Sequence, residues 1–320
     1  MLDFKLVSFQ IFLFEVKHLS KHQQKLLLID GMGLLFRAFY ATAPTGQFMI
    51  NDQGIPTNGV YGMLLHMFTA MNHFQPSHVA VCWDMGSKTF RNDLFTDYKG
   101  NRKAPPEQLI PQFDLAKEAV AAFSIPNIGM EGYEADDCLG TIAHMVKRKI
   151  DVVILTGDHD LLQVLDDEIS VALLKKGYGN YEVYTKDQFI AEHGYDPIRW
   201  IDIKALTGDP SDNYPGVKGI GPKTAEKLIL EYNNIENMLQ SLDTLKPSIR
   251  KKIEQDLDLL KLSKQLAAIK LDVPLKFSLN EALIDSARMK DIEQFLHLNI
   301  KGTTRILTMY NEFLEGLAVH

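Results

Sequence analysis

The sequence predicts an α/β fold with a mainly parallel central sheet flanked by helices, followed by a smaller helical region. Three short apolar runs of strand type each lead into aspartate: KLLLID (25–30), HVAVCWD (78–84) and DVVILTGDHD (151–160). Helical patterns lie between or beside these runs, at 57–73, 111–123 and 135–149. Because strands alternate with helices, we expect parallel strands covered on both faces. Ligands bind such sheets beyond the carboxyl ends of the strands, where these aspartates lie.

The first 24 residues precede this pattern. Their apolar run, at 6–16, is only about eleven residues long, which is too short to span a bilayer. It also lacks the basic leading region and the small-residue cleavage site of a secretory signal. We interpret residues 1–24 as an N-terminal extension of unknown role, either an added helix or strand or the product of an upstream start codon. No membrane association is expected.

Residues 25–194 are predicted to form the α/β core, and one connection within it is unusual. The stretch from 84 to 111 interleaves basic and aromatic side chains: Lys88, Phe90, Arg91, Phe95, Tyr98, Lys99, Arg102 and Lys103. A long basic connection after a strand is more often functional than idle, and the alternative is a solvated basic loop. From residue 195 the strand-type runs stop, so we expect a helical region over 195–305 and a C-terminal tail over 306–320.

The composition is that of a soluble globular protein, with 46% hydrophobic and 23% charged residues in 320. Its two cysteines, Cys82 and Cys138, lie in apolar stretches, so we expect buried, reduced thiols of a cytoplasmic protein. The formal net charge of −7 argues at first against a nucleic-acid partner, because proteins that bind phosphates are usually basic.

Nine acidic residues follow strands, begin helices or occupy turns: Asp30, Asp84, Glu134, Asp136, Asp137, Asp158, Asp160, Asp209 and Asp212. Each has a simple local explanation, such as helix capping for the three in YEADD or a polar turn for the two in GDPSDN. Gathered in one cleft, however, they would repel each other unless cations neutralised them. Carboxylate oxygens select hard ions such as Mg²⁺ or Mn²⁺, and the sequence has no His/Cys cluster with zinc spacing. Two such ions are the usual means of cleaving a phosphodiester.

Setting these nine carboxylates apart changes the argument from net charge. The remainder of the chain then carries −7 + 9 = +2. The rest of the surface is mildly basic, and a nucleic-acid partner becomes compatible with the sequence.

Six segments in order carry a resemblance to a known family: LLLIDG with RAFYA, WD followed by Lys88 and Arg91, YKGNR, GYEADD, TGDHDLLQ and LTGDPSDNYPGVKGIGPKTA. They resemble the bacterial 5′-3′ exonuclease and flap endonuclease family, which includes the N-terminal domain of DNA polymerase I. The resemblance covers roughly residues 25 to 300. It implies a PIN-like nuclease core, a helical arch at about 85–111 and a helix–hairpin–helix motif. With no polymerase region, the chain looks like a free-standing member.

The resemblance also implies roles for the acidic residues. The first metal would be held by Asp30, Asp84, Glu134, Asp136 and Asp137. The second would be held by Asp158, Asp160, Asp209 and Asp212, a set that some free-standing relatives lack in part. Two Mg²⁺ or Mn²⁺ ions are therefore expected, and an active enzyme is favoured.

The same resemblance implies contacts with DNA. Lys88 and Arg91 would hold the scissile phosphate, while the arch would present Tyr98, Lys99 and Arg102 to a single strand. Arg37 is a further candidate phosphate contact, with a structural ion pair as the alternative. The hairpin would grip the duplex backbone through Lys218, Gly219, Gly221 and Lys223. One K⁺ would bind there on the backbone carbonyls of Leu206, Thr207, Pro215, Val217 and Ile220.

The function so implied is a structure-specific 5′ nuclease that hydrolyses DNA by a two-metal mechanism at single-strand/double-strand junctions. Its partners would be branched or 5′-flap DNA and RNA–DNA primer junctions, met by a monomer at the nucleoid during replication and repair. Two alternatives belong to other classes: a catalytically silent scaffold that binds branched DNA, and an RNA nuclease of the small acidic-site class. Retention of all nine carboxylates argues against the scaffold, and the arch and hairpin segments argue against the RNA nuclease.

Overall fold

A computed structural model of the chain describes residues 24–46, 48–284 and 289–317. Most of the predicted N-terminal extension, residues 1–23, lies outside this described part, as do residues 318–320. Six strands form one sheet in the order β3-β2-β1-β4-β5-β6. Their bounds are Lys25–Asp30 (β1), His78–Cys82 (β2), Asn127–Ile128 (β3), Asp151–Thr156 (β4), Ile169–Leu174 (β5) and Tyr181–Tyr184 (β6).

The predicted parallel sheet is confirmed for its first five strands. Leu28 of β1 pairs in parallel register with Ala80 of β2 on one side and with Ile154 of β4 on the other. Only β6 runs antiparallel, at the edge beside β5. The central strands are apolar throughout because both of their faces are buried, as in other parallel sheets.

Helices cover the two faces. The first group is Gly31–Thr42 (α1), Asn58–Phe74 (α2), Phe90–Leu94 (α3), Ile110–Ala122 (α4), Ala135–Val146 (α5) and Lys186–His193 (α6). Alternate residues of β1 point to opposite faces, so Leu27 packs in one apolar core and Leu28 in the other. Helices α1, α2 and α4 supply side chains to the first core, and α5 supplies the second.

A helical region follows, with a small antiparallel pair at its start. Its elements are Trp200–Thr207 (α7), Gly208–Asp209 (β7), Tyr214–Pro215 (β8), Pro222–Tyr232 (α8), Ile235–Gln240 (α9), Pro247–Gln255 (α10), Leu257–Ala267 (α11) and Leu279–Ala282 (α12). Ile203, Leu228 and Ile253 of this region are buried in the same apolar core as α5. The helical region and the central sheet are therefore packed together through the face that α5 covers.

The end of the chain departs from the predicted tail over 306–320. Helices Met289–Asn299 (α13) and Thr304–Leu317 (α14) pack on the face of the sheet that carries the first apolar core, the one containing Leu27. The Tyr310 ring lies 5.4 Å from that of Phe68 and 5.0 Å from that of Phe123, measured between centroids. Phe313 is fully buried beside them. The segment is an amphipathic helix that completes the core, because its apolar residues recur at helical spacing.

The connection predicted as a helical arch at 85–111 also differs from expectation. Its only helix before Ile110 is the five-residue α3, and residues 96–101 form turns that pack against the helical region. Asn101 and Asn213 tie the two segments together, donating to the carbonyls of Pro210 and Asp97.

Two smaller expectations can be compared with the described residues. Cys82 and Cys138 are both buried and free, as predicted. Throughout the described ranges, no helix combines the length and the apolar character needed to cross a bilayer.

Candidate active site

A cavity of about 480 Å³ opens at the carboxyl ends of β1, β2 and β4. Six of the nine predicted metal ligands line it: Asp30, Asp84, Glu134, Asp136, Asp158 and Asp209. Lys99, Arg102 and Lys204 line it as well. The structure thus gathers acidic and basic side chains from segments up to 180 residues apart at one edge of the sheet, as parallel strands allow.

Local geometry explains why these carboxylates stand there. Asp30 ends β1 and caps α1, accepting a hydrogen bond from the backbone N–H of Gly33 at 2.7 Å. Asp84 follows β2 and accepts from the backbone N–H of Ala135 at the start of α5, also at 2.7 Å. Helix starts carry partial positive charge, which stabilises the ionised carboxylates.

The crowding of carboxylates is visible in their ionisation. Burial, reinforced by the charges of Asp84 and Asp158, raises the pKa of Asp30 to about 6. Burial together with Asp158 and Asp30 raises the pKa of Asp136 well above its ordinary value. The cavity therefore resists holding all of its negative charges, and a cation would relieve that repulsion.

Two basic side chains reach the cavity from the YKGNR segment. Lys99 Nζ lies 2.7 Å from Glu134 Oε1, and Arg102 Nη2 lies 2.7 Å from Asp212 Oδ1. The backbone of Lys99 is left-handed, with φ +54°, and its N–H donates to the carbonyl of Asp212. Such a conformation costs energy in a non-glycine residue and persists where the surroundings enforce it, often at functional sites.

Tyr98 does not offer the exposed ring that we expected. It is only 3% exposed, and its hydroxyl donates to Asp212 Oδ2 at 2.9 Å. Asp212 is in turn held by Tyr98 and Arg102 and does not line the cavity. A hydroxyl withdrawn from water needs such a partner, so Tyr98 orders this segment and leaves no face for a base.

Arg91 and Asp137 also lie elsewhere than predicted. The Arg91 guanidinium forms a two-point ion pair with Asp137 at 2.7 and 2.8 Å and donates to the carbonyls of Leu266 and Ala268. Arg91 is 2% exposed and Asp137 is fully buried. The guanidinium and the carboxylate are thus engaged within the protein, and neither side chain lines the cavity. Lys88 is exposed outside the cavity.

Asp160 and Asp209 share one lysine. Lys204 Nζ lies 2.7 Å from Asp160 Oδ1 and forms a hydrogen-bonded ion pair with Asp209. Although burial opposes ionisation of Asp209, hydrogen bonds from Lys204 and Ser211 lower its pKa to about 2. Asp160, which is more strongly desolvated and lies beside Asp158, has a pKa of about 7.

The donor set determines which ion the cavity could hold. Across the described ranges, no three Asp, Glu, His or Cys side chains converge as finished ligands of one ion. The carboxylates instead accept from helix N–H groups and from lysine ammonium groups. Carboxylates nevertheless dominate the lining, with His159 beside them, and they carry more charge than the neighbouring cations offset. That chemistry fits a hard divalent cation.

The predicted hairpin lies between β8 and α8. Lys218 and Lys223 are exposed, and Gly219 adopts φ +79°, a conformation that suits glycine. The start of α8 at Gly221 is exposed and has no side-chain cap. Among the five carbonyls predicted to bind K⁺, those of Leu206, Pro215 and Val217 each accept one hydrogen bond within the protein.

Arg37 lies beside the cavity wall rather than in it. It follows Phe36, which lines the cavity, but its guanidinium donates to the backbone carbonyl of Lys175. This contact fixes the connection between β5 and β6 against α1. The contact is structural, like the ion pair that we considered as an alternative, but its partner is a backbone carbonyl and not a carboxylate.

Two residues that we had not predicted also line the cavity, Phe36 and Lys204. Phe36 lies in the second turn of α1, where its ring stacks on that of Tyr40 with 6.2 Å between centroids. The signal for Lys204 was present: it is the only basic residue in the IDIKALTGD run at 201–209. A single lysine in an apolar helix that leads into predicted ligands indicates a partner for them.

Comparison with known proteins gives matches along most of the chain. Residues 25–194 match the family model "5′-3′ exonuclease, N-terminal resolvase-like domain", and residues 195–290 match "5′-3′ exonuclease, C-terminal SAM fold". A 5′-3′ exonuclease of Bacillus subtilis is 57% identical over 290 residues, which are 91% of this chain and 98% of that protein. DNA polymerase I of Geobacillus stearothermophilus is 41% identical over 300 residues, 93% of this chain but only 33% of the polymerase.

Solved structures agree on the fold. The T5 D15 protein co-crystallised with metal ions superposes with a TM-score of 0.64 at 19% identity, covering 92% of this chain and 100% of that one. The catalytic core of Rad2 in complex with a DNA substrate superposes with a TM-score of 0.55 at 17% identity, covering 92% of each chain.

Proposed function

The chain belongs to the 5′-3′ exonuclease family, and we propose that it is a divalent-cation-dependent nuclease that cuts DNA at single-strand/double-strand junctions, including 5′ flaps. The observation that carries this proposal is the cavity in which six carboxylates meet Lys99 and Arg102. Carboxylates alone would repel a phosphodiester, and basic residues alone would bind it without cleaving it. The combination suits hydrolysis.

Two Mg²⁺ or Mn²⁺ ions, when bound, would activate the attacking water and stabilise the leaving 3′ oxygen. The cavity-wall carboxylates Asp30, Asp84, Glu134 and Asp136 would hold the first ion, and Asp158 and Asp209, together with Asp160, would hold the second. No side chain of the cavity stands out as a general base. The protein would leave a 5′-phosphate and a 3′-hydroxyl.

Lys99 and Arg102 take the role of phosphate contacts that we had given to Lys88 and Arg91. Both already lie in the cavity, and both end in groups that hydrogen-bond phosphate oxygens, Arg102 in bidentate fashion. The ordered turn around Tyr98 holds their backbone in place, which lowers the entropy lost on binding. Phe36 adds an apolar ring against which a base next to the cut bond can pack.

Duplex DNA would be held away from the cut by the hairpin between β8 and α8. Backbone N–H groups at Gly221 and the ammonium groups of Lys218 and Lys223 suit phosphates without regard to sequence. A K⁺ ion on nearby carbonyls remains part of this proposal. We further propose that the protein acts as a monomer in the cytoplasm at the nucleoid, on flaps and RNA–DNA primer junctions of replication and repair.

The test uses a 5′-flap duplex labelled at the flap end. Cleavage is expected with Mg²⁺ and should stop with EDTA and in the Asp158→Asn variant. Asp114→Asn provides a matched control, since this carboxyl is 89% exposed and does not line the cavity. Cleavage that persists in EDTA would contradict metal dependence. Tight flap binding without cleavage by the unaltered protein would favour the scaffold instead.

A further inference from the structure

Among the described residues, Lys204 is the only cavity lysine that pairs with two predicted ligands of the second metal, Asp160 and Asp209. It projects from α7, while Asp160 follows β4 and Asp209 lies in β7. The side chains of all three are largely withdrawn from water: Lys204 is 19% exposed, Asp160 15% and Asp209 9%. One ammonium group thus bridges carboxylates from two separate segments at the cavity wall.

The two carboxylates are arranged around this ammonium group. Asp209 Oδ1 accepts hydrogen bonds from the N–H and the hydroxyl of Ser211, at 2.7 and 2.6 Å, which leaves Oδ2 for Lys204. Asp160 offers its Oδ1 from the opposite side. A cation between these two oxygens is therefore part of the protein's own structure.

Three carboxylates of the first set have no such partner, whereas Glu134 pairs with Lys99 and Asp137 with Arg91. Over the described parts of the chain, no lysine or arginine forms an ion pair with Asp30, Asp84 or Asp136. Asp30 accepts from the N–H of Gly33 and the hydroxyl of Thr156, and Asp84 accepts from the N–H of Ala135. A divalent cation could approach them without displacing any positive charge.

We propose that Lys204 is a resident counter-ion of the Asp160/Asp209 pair and competes with a divalent cation for it, so that the second cation binds more weakly than the first in the absence of DNA. This inference rests on the proposed function, in which these carboxylates bind cations. An ammonium group and a metal ion cannot both occupy the space between the two oxygens. Lysine can yield because its charge sits on a flexible four-carbon stem.

The competition has a use in the proposed reaction. A resident ammonium keeps Asp160 and Asp209 together when no second cation is present. On displacement, the same tethered charge stays at the cavity, where a substrate phosphate could accept from it. Lys204 is thus assigned to setting the order in which the two cation sites fill.

The experiment measures Mn²⁺ binding to the DNA-free protein by isothermal titration calorimetry. The unaltered protein should bind one ion tightly and a second weakly. Lys204→Met removes the competing charge, and the second dissociation constant should fall by roughly tenfold or more. Lys264→Met is the matched control: it also removes one lysine charge, but that lysine pairs with Asp202 and Glu236.

Lys204→Arg tests the inference without removing the charge. Arginine can keep both ion pairs, so the second site should stay as weak as in the unaltered protein or become weaker. Circular dichroism establishes that each variant is folded. An unchanged second dissociation constant in Lys204→Met, or an equal gain in Lys264→Met, would overturn the inference, while flap cleavage by the unaltered protein would still support the proposed function. Absence of any Mn²⁺ binding by the unaltered protein would instead count against the proposed function itself.

Discussion

The buried ion pair between Arg91 and Asp137 leads to a sharp prediction about stability. In Arg91→Met the methionine fills much of the same space, but Asp137 stays fully buried without its cation. The variant also leaves the carbonyls of Leu266 and Ala268 without the donors that lie 2.9 and 2.8 Å away. Removing one partner of a buried pair costs about 3–5 kcal/mol in free energy of unfolding. We expect Arg91→Met to fall within or above this range.

A double-mutant cycle separates the pair from its surroundings. Asp137→Asn should also destabilise the protein, because Asp137 accepts from the backbone N–H groups of Glu134 and Lys270 as well as from Arg91. The double variant should lose less than the sum of the two single losses, since each single change leaves a charge or donor unpaired. Urea unfolding followed by circular dichroism gives the four free energies.

Two outcomes would refute this reasoning. One is additivity of the two changes, which would mean that the residues do not interact energetically. The other is an Arg91→Met variant that unfolds like the unaltered protein yet no longer cleaves flap DNA, which would return Arg91 to the phosphate contact implied by family resemblance.

Three further predictions follow from the same structure. Phe313→Ala should lower the free energy of unfolding by about 3–5 kcal/mol, because it empties a fully buried site in the first core; chemical denaturation measures this, and a loss below about 1 kcal/mol would mean that α14 is loosely packed. Burial lowers the pKa of His66 from 6.5 to about 4. The unfolded chain therefore binds a proton at higher pH than the folded protein, and the free energy of unfolding falls as the pH drops from 6.5 towards 4. Urea unfolding of His66→Gln should show a flatter dependence of this free energy on pH, and parallel curves for the two proteins would contradict the prediction. Arg102→Met should reduce flap cleavage by about tenfold to a hundredfold with little change in thermal unfolding, since its side chain is 53% exposed; equal kinetics would remove Arg102 from the phosphate site.

The strands and the acidic edge of the sheet could be predicted because their signals are local. Asp30, Asp84 and Asp158 each follow an apolar run, and parallel pairing brings the ends of such runs together whatever the detailed register. The sequence of α14 also held a usable signal. Ile306, Tyr310 and the apolar residues after them recur at helical spacing, which indicates a helix where we had predicted a C-terminal tail.

The fate of Arg91 could not be predicted in the same way. Its partners Leu266 and Ala268 stand 175 and 177 positions further along the chain, and no local pattern distinguishes a buried arginine from an exposed one. Lys99 and Arg102 belong to the same basic connection and face the cavity. The packing of the turn around Tyr98 against the helical region decides which basic residues reach the cavity. This packing is a tertiary property that no local pattern indicates.

The return of α14 to the first face of the sheet has a consequence for synthesis of the protein. Phe68 and Phe123 emerge from the ribosome well before Tyr310, their aromatic partner in the finished core. The apolar face formed by α2 and α4 stays uncovered until α14 is made. The whole helical region is translated during that time. A nascent chain in that condition exposes the kind of surface that chaperones bind and that promotes aggregation. Slowing translation between residues 195 and 303 would prolong that exposure, so the helical region acts as a delay before the nuclease core can close.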